Sequence, residues 1–165
     1  MSGPTYIPTT LVMLHFGILS KLNWLNILKT STVMITIALI DKFPMLRKGI
    51  EYILKDQFCG ATILESNTIS TFFKTYPGQH PDLIIMGISQ NNSAAKNISF
   101  IKLIKRRRVS AALVVYDELP DFPMVLHYLN AGVNGYISKR STVNELNECL
   151  KIVLQGDRYV SNEGF

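Results

Sequence analysis

Apolar residues along the chain alternate between two patterns. Unbroken runs at Ile35 to Ile40, Ala61 to Leu64, Leu83 to Met86 and Ala111 to Tyr116 suit strands covered on both faces, and Gly135 to Ser138 is a shorter candidate. Between these runs apolar positions return every three or four residues, as on one face of a helix. Leu46, Ile50, Ile53 and Leu54 follow Pro44, which suits a first helical turn. Ile69, Phe72, Phe73 and Tyr76 share a face after Ser66 or Asn67, either of which can cap. Ile98, Ile101 and Ile104 run toward Arg108, and Val125, Leu126 and Leu129 follow Pro123 and stop near Gly132. Thr142 and Glu145 form a capping-box pattern ahead of Val143, Leu146, Leu150 and Val153, and Gly156 closes that helix. Five strands alternating with five helices predict an α/β, doubly wound, five-stranded parallel sheet with helices on both faces.

The first 33 residues break the pattern. They contain Lys21 and Lys29 but no acid, and their apolar run from Thr10 to Leu19 is too short to span a membrane. Met1 to Thr10 has no basic residue to open a signal peptide. The expected organisation is therefore an extension at 1–33, upstream of a natural start at Met34, a domain at 34–160, and the start of a linker or tail at 161–165. With 47% hydrophobic and 18% charged residues the chain should be globular and soluble rather than disordered. The net charge of +5 permits an anionic partner without requiring one. Cys59 and Cys149 stand far apart with no metal-ligand spacing, which favours a reducing, cytoplasmic setting.

In doubly wound sheets ligands sit beyond the carboxyl ends of the strands, where the strand order reverses. That rule singles out Asp41, Lys42, Gly87, Ser89, Tyr116, Asp117 and Lys139. His15, His80 and His127 fall in the extension, a turn and a helix, so a Ser/His/Asp triad is not expected. DKFPMLRKG after the first strand is not a glycine-rich phosphate loop, which argues against a nucleotide enzyme. Lys105 to Arg108 could touch phosphates, but cations at a helix carboxyl end also favour its dipole. Phe122, Met124 and Tyr128 make the fourth helix apolar enough for either a partner surface or an ordinary buried face.

Four segments, IALIDKFPMLRKGI at 37–50, PDLIIMGIS at 81–89, NAGVNGYISK at 130–139 and LKIVLQGDRYVS at 150–161, together resemble a response-regulator receiver domain. The subfamily resembled is the one usually joined to a LuxR-type helix-turn-helix. The resemblance implies a flavodoxin-like, CheY-like fold and a role in two-component signalling and transcription regulation. It places the phosphate-accepting aspartate at Gly87, the metal-binding acidic pair at Asp41 and Lys42, and the switch hydroxyl and lysine at Tyr116 and Lys139. Only Asp41 and Lys139 keep the family's residue types, and Asn91 replaces a loop proline. Glycine cannot carry a phosphoryl group, and Lys42 exchanges an oxygen ligand for a positive charge. The expectation is thus a degenerate pseudo-receiver with no catalytic residue, no metal and no cofactor, acting through a protein partner or a homodimer. Asp41 is expected to cap the next helix or to pair with Lys42 or Lys139; Lys42 standing in for the metal is the sharper alternative. The second functional expectation is the amino-terminal part of a LuxR-type transcription regulator whose helix-turn-helix is missing here. No segment after Gly156 is long enough to read DNA bases in this chain alone.

Overall fold

The computed structural model describes residues 34–88, 93–108, 110–118 and 122–161. The expectations for residues 1–33, Ser89, Asn91 and the last four residues lie outside them. In chain order the elements are β1 (Thr36–Ile40), α1 (Pro44–Gln57), β2 (Thr62–Ser66), α2 (Ile69–Thr75), β3 (Leu83–Ile88) and α3 (Ala94–Arg107), then β4 (Ala112–Asp117), α4 (Phe122–Asn130), β5 (Gly135–Ser138), α5 (Val143–Leu154) and β6 (Tyr159–Val160).

All strand pairs are parallel, in the order β2-β1-β3-β4-β5-β6. The alternation of side chains along each strand sorts the core into two layers. Ile37, Leu39, Leu83, Ile85, Val114 and Ile137 face α1 and α5, meeting Ile50, Leu54, Leu146 and Leu150. Ala38, Ile84, Met86, Leu113 and Val115 face α2, α3 and α4, meeting Phe72, Ile101, Ile104 and Val125. Gly135 allows α5 to lie close on the sheet: a Cβ there would come within 2.7 Å of Cys149 Sγ and 2.9 Å of Val153.

The sheet has six strands where the apolar runs predict five. β6 is only two residues long, too short to leave a periodic signal. It is added after Gly156, at φ +92°, lets the chain turn back. Tyr159 N–H then donates to the Asn134 carbonyl (3.0 Å) and Ser161 N–H to that of Tyr136 (2.9 Å). The cap of α2 also differs. Ser66 remains in β2, with its hydroxyl donating to the Thr68 carbonyl, and Thr68 is the residue whose side chain accepts from Thr71 N–H. The Thr142–Glu145 capping box forms as its spacing predicts. No helix among the described residues is long and apolar enough to cross a membrane.

Candidate functional site

The strand order reverses between β1 and β3, so their carboxyl ends frame a cleft. Register decides which side chains meet there. Leu39 pairs with Ile85, Gly87 with Tyr116, and Tyr116 with Ile137. Two residues further along their strands, Asp41 and Lys139 continue the same row, on the side of α1 and α5. Asp41, Gly87, Tyr116 and Lys139 are thereby brought together, as expected.

The Lys139 ammonium donates to Asp41 Oδ2 at 2.9 Å, with the two side chains only 11% and 2% exposed. Asp41 Oδ1 accepts the Phe43 N–H at 2.7 Å, so the carboxylate bridges the start of α1 to the end of β5. It does so without acting as the helix cap: Phe43 is the N-cap and makes no side-chain capping bond. The salt-bridge expectation holds for Lys139 and not for Lys42. Lys42 is exposed, and its ammonium lies 4.5 Å from the Phe43 ring centre.

Gly87 leaves the carboxylate its space. A Cβ built on Gly87 would overlap Asp41 Oδ2 and lie 2.6 Å from its Cγ. The Asp41 head group therefore stands where any side chain at 87 would begin. Tyr116 is buried beside it, with the Lys139 ammonium 5.7 Å from its ring centre. Burial first, and then the negative charge of Asp41, raise the Tyr116 phenol above its ordinary pKa.

Arg47 holds this arrangement from behind and is not singled out by the sequence. Its Nη1 donates to the Asp41 carbonyl at 2.6 Å while its Nε pairs with Glu65 at 3.2 Å. One helical turn into α1, it is an ordinary surface-type residue in sequence, and only the packing of β2 beside β1 gives it a role. Asp117 points to the opposite face, where the Tyr136 hydroxyl donates to its Oδ2 at 3.1 Å.

The basic run at the end of α3 is largely absorbed by structure. Lys105 donates to the Ala111 carbonyl at 3.0 Å, Arg108 to that of Pro77 at 3.1 Å, and the Arg107 and Arg108 guanidiniums lie 4.9 and 5.3 Å from the Phe73 ring centre. On α4, Tyr128 is buried and bonded to Asn97, while Leu126 remains 47% exposed.

A magnesium ion in this cleft would need a group of hard oxygen ligands. Among the described residues no three acidic, histidine or cysteine side chains converge to hold a metal. Both Asp41 oxygens face donors, one of them a cation, and its neighbours in the row are Gly87 and Lys139. The residues present do not fit the ion.

No family model matches the chain. The response regulator UvrY of Escherichia coli K12 is 22% identical over 130 residues, covering 79% of this chain and 59% of UvrY. A LuxR-family two-component response regulator from Aurantimonas superposes with a TM-score of 0.70 at 22% identity, over 79% of this chain and 91% of that one. The isolated receiver domain of RcsB from Salmonella enterica serovar Typhimurium, with a phosphomimetic BeF3-, gives 0.66 at 19% identity, over 78% and 94%. The chain has the receiver fold, and its homologues are response regulators, with LuxR-family receivers as structural neighbours. It spans 52 to 60% of the length of the curated relatives it matches.

Proposed function

We propose that residues 34–160 form a receiver that does not take a phosphoryl group on aspartate and that signals by contact with a protein partner or a second copy of itself. One observation carries this reading: the Asp41 carboxylate fills the space at Gly87 in which an acceptor side chain would stand, and Lys139 neutralises it. Asp41 is itself a poor substitute acceptor, because it is 3% exposed and both its oxygens are engaged. The extra length of the relatives supports a second, compatible reading, in which the domain is the receiver part of a LuxR-type transcription regulator.

In a switching receiver the ligand can shift the two states only by its differential affinity for them. With no acceptor and no metal site, that difference is missing, and the state of the contact surface is set by sequence. Sedimentation velocity of the full chain with and without beryllofluoride and Mg²⁺ tests this. The distribution of species is expected to be identical in both. A shift toward a larger species on adding the analogue would show a working phosphate switch.

A further inference from the structure

Beside the filled slot, on the other face of the sheet, lies a cavity of about 230 Å³. Ile40 and Met86 form its floor at the ends of β1 and β3, and Ile69 and Phe100 bring apolar walls from α2 and α3. Two lysines, Lys42 and Lys96, line it as well, and both residues are exposed. Among the described residues neither has a carboxylate partner; each is seen only against an aromatic ring, Phe43 and Phe100. The one acid in the lining is Asp41, already neutralised by Lys139. Asn67 and Asn97 supply further polar groups.

A cleft lined by one sign of charge over a low-dielectric floor concentrates the opposite charge. Concave, mostly apolar sites with a few polar groups are also where small molecules bind. We propose that this cavity binds a small organic anion, with the charged group between Lys42 and Lys96 and an apolar body on Ile40, Ile69, Met86 and Phe100. Such a ligand would give the domain an input other than phosphoryl transfer. The inference rests on the phosphoryl-independent reading above.

The test is a titration of the full chain, followed by amide NMR, with phenyl phosphate, inorganic phosphate and Mg²⁺ as separate probes. Phenyl phosphate should move the amides of Ile69, Gly87 and Asn97 saturably, with a dissociation constant on the order of 1 mM or below. Inorganic phosphate should bind at least about fivefold more weakly, since it lacks the apolar body. The double variant Lys42→Gln/Lys96→Gln, whose amide spectrum away from the cavity reports that it still folds, should weaken phenyl phosphate by about tenfold or more. No saturable shift at these amides, equal affinity for the two phosphates, or undiminished binding by the double variant would overturn the proposal alone. Saturable Mg²⁺ shifts at Asp41 and Gly87 would instead overturn the reading beneath it.

Discussion

The two sides of the sheet end differently at the carboxyl edge. On the α1/α5 side, Asp41 and Lys139 close the space over Gly87 with a buried ion pair. On the α2/α3 side, a step of one residue along the same strands leads from Gly87 to Met86 and from Asp41 to Ile40, and a cavity whose lining includes Lys42 and Lys96 remains open. The difference teaches that a strand end without a side chain, at Gly87, need not leave a hole. The Asp41 carboxylate, opposite in charge to Lys139, occupies that space, while two lysines line the open side.

The largest effect should come from breaking the closed side. Asp41→Ala leaves the Lys139 ammonium buried without its carboxylate and removes the acceptor of the Phe43 N–H. A loss of about 3 kcal/mol in chemical denaturation is expected. Adding Lys139→Met should recover much of it, because the uncompensated charge is then gone. Equal losses in single and double variants would show that the ion pair does not hold the closed side.

Gly87→Ala should cost about 2 kcal/mol, since the new Cβ and the Asp41 carboxylate cannot share one space. In the Asp41→Ala background the same change should cost almost nothing. The coupling is read from the double-mutant cycle, and additive losses would contradict the overlap.

An effect visible only at alkaline pH reports how well the closed side is sealed. Cys149 on α5 is fully buried, which pushes its thiol from 9.0 to about 12. Between those values the unfolded thiol ionises while the folded one stays protonated. The stabilising contribution is therefore complete below pH 9 and is lost progressively as the pH rises toward 12. Stability measured across this range should fall less steeply in Cys149→Ala; equal slopes would mean that water reaches the thiol.

Most of the architecture was legible because buried parallel strands are written as unbroken apolar runs and their helices as residues three and four apart. LIIM at 83–86 and the Thr142–Glu145 box are examples. The membership of the site was legible too, since strand ends and register place Asp41, Gly87, Tyr116 and Lys139 in one row. Its geometry was not. That the Asp41 carboxylate occupies the Gly87 space, that Lys139 and not Lys42 partners it, and that Arg47 braces its carbonyl all depend on side-chain directions that no periodicity encodes. Tyr136 was overlooked because its neighbour Ile137 faces the site while it faces the other layer, toward Asp117.

The most direct test of a filled acceptor slot is the intact mass of the full chain after incubation with acetyl phosphate and Mg²⁺. No phosphoryl adduct is expected, either at position 87, which has no nucleophile, or on Asp41, which is held by Lys139 and the Phe43 N–H. A stoichiometric, acid-labile adduct would contradict the account.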